Sequence, residues 1–251
     1  MKLRNFFLKY LSTILLIIYL ILMFIFNRFI SFSSKDIILF ILFFGSYFII
    51  RNIITLIILH PITKNIQQFQ NTCDVDTYIK NLNQLYNDYN NKTIKEILKF
   101  ALITADTLKN DITETTLQEL KTINVNLLNN ANKLAYKETL GKIYIKLEKY
   151  PEVESLIKEL DQEKEQKIIK NLKYSLNLHL NQLDGLETYL IDKLKNNKLL
   201  TKVSTYYSLG IYYQKSNNNK KAIECYNYVI KNGNNLIYVK EAKEKLLDLN
   251  K

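Results

Sequence analysis

Tryptophan is absent from this chain, and cysteine, proline and histidine occur only twice each among 251 residues. Each scarcity excludes something. Cys73 and Cys225 stand 152 residues apart, without C-x-x-C spacing or a histidine cluster, so neither a disulfide framework nor a metal-ligand set is supported. His60 precedes Pro61 and His179 follows an apolar-periodic run, and both read as structural residues. Of thirty-five basic residues only Arg4, Arg28 and Arg51 are arginine, and all precede residue 72. A surface that forks onto phosphates or base edges uses arginine, so no nucleic-acid partner is expected. Walker, G-x-S-x-G and dinucleotide-binding sequences are also missing, so no enzyme activity, catalytic residue, cofactor or metal is expected.

What is present begins with two long apolar runs. The first, from Leu11 to Phe26, is free of charge and holds twelve Leu, Ile or Phe residues. On an insertion scale these favour a spanning helix by about 4 to 7 kcal/mol. The run is long for a signal peptide and no small-x-small cleavage site follows it. The second run, Ile37 to Leu59, holds seventeen such residues and is interrupted by Arg51. Its apolar gain, about 5 to 10 kcal/mol, exceeds the roughly 2.5 to 3.5 kcal/mol for one mid-bilayer arginine. Arg51 can also snorkel to the nearer interface, and with no acidic partner in either span this is preferred to a functional intramembrane charge.

Two spans, over about 10–27 and 37–59, make residues 1–71 a membrane anchor. Lys2, Arg4, Lys9 and the terminal amine outweigh Arg28 and Lys35, which have Asp36 beside them. The positive-inside bias then puts both termini and residues 72–251 in the cytoplasm. The net charge of +11 divides into +6 over residues 1–71 and +5 over 72–251, where both signs are mixed. Attraction of the juxtamembrane lysines to anionic lipid is expected.

Beyond residue 71 the chain is polar, rich in Lys and Asn, and apolar at three- and four-residue intervals, as amphipathic helices are. DVDTYIKNLNQLYNDYN, KTIKEILKFALITADTLKN and ITETTLQELKTINVNLLNN keep this spacing, and taken by themselves read as helical hairpins. Pro151 suits a helix first turn. Gly185 lies in the turn LDGL, and Gly233 at a helix C-cap. Gly141 and Gly210 instead fall inside helical patterns, where each costs about 1 kcal/mol against Ala and needs a packing reason.

The surroundings of those two glycines match. Leu140 and Leu209 come one residue before, and Tyr144 and Tyr213 three after. Ala222 and Tyr226 lie twelve and sixteen residues after Gly210, and Val153 and Ile157 lie at the same offsets from Gly141. Tyr206 and Tyr150 hold two further aromatic positions. These residues resemble the tetratricopeptide repeat, a helix-turn-helix unit, over 203–236 and less fully over 134–167, where Val153 replaces the expected Ala. Asn219 likewise stands where the last repeat would carry its turn aromatic. The glycines are 69 residues apart, twice the 34-residue period plus one. A degenerate repeat therefore fits between them, QKIIKNLKYSLNLHLNQ supplying one helix and LETYLIDKLKNN the other, with Ser175 or Leu176 in the glycine's place. The chain is similar to membrane-anchored bacterial members of that family with two N-terminal transmembrane helices. The implied fold is all-α: a transmembrane helical hairpin, then a superhelical solenoid of about five helix pairs, capped by LIYVKEAKEKLLDLNK. The plainer alternative is an irregular helical bundle with chance Leu-Gly pairs.

In the family, residues of each first helix line a concave face that receives a peptide or helix. Mapped here, they are Glu138, Lys142, Ile145 and Lys146 in one repeat, and Ser204, Tyr207, Ile211, Gln214 and Lys215 in the last. Tyr207 and Ile211 would anchor an apolar side chain, and Lys142 and Lys146 would meet carboxylates. The lysine and asparagine set that clamps a terminal carboxylate in some members is not recognisable, because Glu138 and Tyr207 stand at a clamp lysine position. The resemblance implies a non-enzymatic inner-membrane scaffold that binds proteins. A chaperone-like factor with its repeats across the membrane is the alternative, and a membrane enzyme or transporter subunit would need a catalytic cluster or several intramembrane charges.

Overall fold

The computed structural model describes residues 59–160 and 165–249 continuously, together with residues 13, 17–21, 24, 45, 46, 49, 52 and 56. All regular structure among them is helical. The two apolar runs fall mostly outside the described residues, and among those described no helix is long and apolar enough to cross a membrane. The chain divides into two compact units, Met1–Lys64 with Asn87–Asn91, and Asn65–Tyr86 with Lys92–Lys251. In the first unit Ile17, Leu20, Ile21, Phe24, Ile49 and Leu56 are exposed, and the Tyr19 hydroxyl lies 2.8 Å from Ser46 Oγ.

In the second unit residues 65–72 are helical, and α1 (Val75–Asp88), α2 (Lys92–Asp106) and α3 (Glu114–Lys121) follow. A short 3-10 turn (Val125–Leu127) leads into α4 (Asn130–Lys146), α5 (Tyr150–Glu159), α6 (Gln166–His179) and α7 (Leu186–Lys193). Then come α8 (Leu199–Lys215), α9 (Asn219–Asn232) and α10 (Ile237–Leu249). Side chains start several of them. Asp74 Oδ1 accepts the Thr77 amide at 3.0 Å, Asn129 accepts from Asn132 N at 2.9 Å, and Thr113 and Thr116 form a reciprocal capping box. Each supplies an acceptor to an amide that has no partner within its helix. Pro151 sits in the first turn of α5.

Three helices end in the same way. Glu148, Asn181 and Asn217 adopt left-handed backbone conformations just beyond α4, α6 and α8. The following amides turn back, Lys149 N to Tyr144 O at 2.9 Å, Gln182 N to Asn177 O at 2.8 Å and Asn218 N to Tyr213 O at 2.8 Å. This six-to-one closure is the Schellman motif. Its left-handed residues recur 33 and 36 residues apart. Residues 130–232 therefore hold three successive helix-turn-helix pairs, α4–α5, α6–α7 and α8–α9; α4 packs closely on α5 and α8 on α9, whereas α7 lies chiefly against α8.

The pairs pack through apolar side chains. Ile145, Val153, Leu156, Ile157, Leu160, Ile168, Ile169, Leu172 and Leu176 form one core between α4, α5 and α6, flanked by Leu140, Tyr144 and Tyr150. Phe100, Ile103, Leu117, Leu120 and Ile143 join α2 and α3 to the other side of α4. Helix α4 is thus covered on several sides and buries Gly141, Ile143 and Ile145 together.

The unit also closes on itself. Val75 N donates to Asn235 Oδ1 at 2.8 Å, and the Asn235 amide donates to the carboxylates of Asp74 and Asp76. Ile237 N donates to Leu108 O at 2.8 Å, Lys240 pairs with Asp111 at 3.2 Å, and Lys146 pairs with Glu241 at 2.9 Å. Helix α10 packs on α9, and these polar contacts tie it in addition to the segment after α2 and to the end of α4.

Candidate functional site

The fold gives the two interior glycines different neighbours. A Cβ on Gly141 would lie 2.5 and 2.9 Å from the terminal methyls of Leu172 on α6 and 3.3 Å from Leu156 on α5. A Cβ on Gly210 would meet the ring of Tyr226, itself wholly buried. Both glycines precede the left-handed residue at their helix end by seven positions. In the middle pair that position is Tyr174, not Ser175 or Leu176. With a tyrosine there, α6 and α7 meet through the stack of Tyr174 on Tyr189, ring centroids 3.9 Å apart, instead of through close backbone approach.

The residues read as a partner surface divide into two groups. In the last pair most are engaged within the fold. Tyr207 is 7% exposed, stacked at 5.0 Å on Tyr238 of α10 and tilted against Tyr226. Burial, with the Glu241 carboxylate nearby, pushes its hydroxyl well above the usual range. Gln214 Oε1 accepts the Tyr226 hydroxyl at 2.9 Å, and Ser204 Oγ donates to Thr201 O within its own helix. Lys215 Nζ donates to Leu178 O and His179 O at 2.8 and 3.1 Å, which places a cation on the carbonyl end of α6. Ile211 remains half-buried. Ile145 is a core residue at 2% exposure, so like Tyr207 it offers no open surface; each is covered by a helix whose approach depends on contacts far away in sequence.

The residues assigned to repeat packing are inside or at the edge of the core. Val153, Ile157, Leu209, Tyr213, Ala222 and Tyr226 are buried, and Tyr206 stacks on Tyr228 at 3.9 Å. Tyr213 donates its hydroxyl to Glu187 at 2.6 Å while Lys221 lies 4.8 Å above its ring. Cys73 and Cys225 are free and buried, and burial raises both thiols to about 11. Among the described residues no group of three or more His, Cys, Asp or Glu is arranged to hold a metal ion.

Glu138 and Lys142 fare differently. They form an ion pair at 2.7 Å one turn apart on α4, and Asn171 Nδ2 of α6 also donates to Glu138 at 3.2 Å. Asn171 in turn accepts the Tyr189 hydroxyl from α7. Burial alone would raise the Glu138 carboxyl, but Lys142 and Asn171 outweigh it and hold the group below its usual value. Lys193 Nζ lies 5.3 Å and Lys170 Nζ 5.5 Å from the centre of the Tyr189 ring. Beside this network an open groove of about 930 Å³ runs along α6, lined in part by Lys167, Lys170, Lys173 and Tyr174. Asn171, Tyr174, Tyr189 and Lys193 were not marked by sequence because the middle pair lacks the glycine that aligns the other two. The spacing of the helix ends is the signal that would have found them.

No family model, curated protein or solved structure matches the chain.

Proposed function

We propose that this chain is a non-enzymatic, membrane-anchored scaffold whose tetratricopeptide-like helix pairs recruit proteins to the cytoplasmic face of a bacterial inner membrane. The observation that carries the repeat reading is the shared helix ending at Glu148, Asn181 and Asn217, spaced 33 and 36 residues apart against a family period of about 34. Packing without room for a Cβ at both Gly141 and Gly210 supports it further.

Anchoring by two spans rests on the apolar runs. The exposed Leu20, Phe24, Ile49 and Leu56 suit lipid better than water, and a Tyr19–Ser46 hydrogen bond suits two spans side by side. The partner is a protein, and the candidate face for it is the Glu138–Lys142 surface of α4, with the half-buried Ile211 of α8 a separate candidate position.

Fractionation with in-cell crosslinking tests this function. The protein is expected in the carbonate-washed membrane pellet, with residues 72–251 protected from protease in intact cells and cut in lysed ones. Crosslinking followed by mass spectrometry is expected to recover a restricted protein set that Lys142→Glu depletes. Full release by carbonate overturns the anchor. Recovery of unselected nascent chains overturns the scaffold reading.

A further inference from the structure

Three helices contribute lysines to the surface around Tyr189, and they outnumber the carboxylates among them. Glu138 on α4 is committed to Lys142 and Asn171. Among the described residues Lys193 of α7 has no carboxylate within ion-pair distance. Its ammonium rests over the Tyr189 ring, and Lys142, Glu138 and Lys167 all lie near enough to act on it. Burial first, and then Lys142 and Lys167, lower its pKa, and Glu138 offsets only part of this. Tyr189 cannot swing away to relieve it, because its ring is stacked on Tyr174 and its hydroxyl is held by Asn171. A partly desolvated ammonium over an aromatic ring, whose carboxylate neighbour Glu138 is already paired with Lys142, is a site short of one negative charge. The groove leading to it continues the same sign with Lys167, Lys170 and Lys173, against Asp184 on its wall and Asp192 near Lys170.

We propose that this recess receives an acidic segment of a partner protein, with one carboxylate seated between Lys142 and Lys193 beside the Tyr189 ring and further acids along the α6 groove. The proposal rests on the protein-recruiting reading above and names the chemistry of its partner. Glu138, standing 2.7 Å from Lys142, discriminates among anions. It repels the closely spaced charges of a phosphate backbone or lipid headgroup more than it repels a single carboxylate. Lysines without arginine likewise favour point pairing over bidentate phosphate capture.

The test uses the full-length protein in zwitterionic detergent micelles and a fluorescent Glu-rich peptide, with a Gln-for-Glu peptide as the control, read by anisotropy. Binding of the Glu peptide alone is expected, weakened by salt. Lys193→Gln and Lys142→Gln are each expected to lower affinity roughly tenfold or more, while Lys231→Gln on α9 leaves it unchanged. Circular dichroism is matched among variants, and protection of Lys193 from acetylation by bound peptide gives a second readout. Affinity unchanged from wild type in the Lys142 and Lys193 variants overturns the proposal. So does protection of Lys193 by vesicles of anionic lipid or by inorganic phosphate but not by the Glu peptide. If crosslinking recovers a defined partner whose capture ignores both lysines, the scaffold stands and this site falls. If the Glu peptide binds at Lys193 while no partner is recovered in cells, the site stands and the scaffold reading falls.

Discussion

The ring of Tyr226 occupies the space in which a side chain on Gly210 would begin: a Cβ there would stand 2.7 Å from Cδ1 and 2.9 Å from Cζ. Tyr226 is wholly buried and its hydroxyl is held by Gln214, so the ring has little room to retreat. Gly210→Ala is therefore expected to destabilise the protein by about 1 to 3 kcal/mol through overpacking, despite roughly 1 kcal/mol of better helix propensity. Gly141→Ala meets the movable methyl ends of Leu172 and is expected to cost less. Urea unfolding of both variants, with Tyr226→Leu as a relieving second change to Gly210→Ala, checks the order.

Asn235 ties α1 to the segment before α10 by accepting from Val75 N and donating to Asp74 and Asp76. Asn235→Ala leaves these groups to water and is expected to cost about 1 to 3 kcal/mol. Hydrogen exchange at the Val75 amide should accelerate well before the amides of α8 do. Uniform acceleration across the unit would mean that the tie has no local character.

Tyr207 fills the space between α8, α9 and α10, so Tyr207→Ala is expected to lose about 3 to 5 kcal/mol, as large buried aromatics do. Ile211→Ala, at a half-buried position, should lose far less. Thermal melts of the two single variants separate these outcomes, and near-equal melting temperatures would contradict the packing of Tyr207 under Tyr238.

The Glu138–Lys193 neighbourhood sets two pH windows. Glu138 is held below its ordinary 4.5 in the fold. Its contribution is complete above that value and is lost as pH falls through the lower folded value. Lys193 is lowered from 10.5, so between its folded value and 10.5 the unfolded chain binds more protons and stability rises with pH. Lys193→Met is expected to abolish that alkaline rise, and Glu138→Gln to reduce the acid loss. Unfolding free energies measured across both windows decide.

Helix positions were legible because apolar spacing and capping residues are local. The first two upstream segments, the helices flanking Gly185 and the first-turn role of Pro151 all appear where the pattern puts them. ITETTLQELKTINVNLLNN is an exception: α3 stops at Lys121, and the Asn124 side chain accepts from Asn126 N to start a 3-10 turn. Gly233 is the C-cap of α9, but the left-handed residue is Asn234; glycine is needed there because a Cβ would lie 2.6 Å from Val239 Cγ2. Faces were less legible than helices. With Gly141, Ile143 and Ile145 all buried, α4 has no single polar stripe, and only tertiary neighbours decide that Ile145 points inward while Lys142 stays open. The Asn171–Tyr189–Lys193 network joins residues from two helices whose spacing obeys no local rule.

The bond between Val75 and Asn235 spans 160 residues of chain. At common rates of synthesis, on the order of 10 to 30 s pass between the making of one residue and the other. Through that interval α1 and the α2–α3 connection hold an unfilled seat for α10. Two chains emerging side by side then compete for each other's α10, and the joint that seals one molecule is also a route to a helix-for-helix exchange between two, a domain-swapped dimer built from the same bonds.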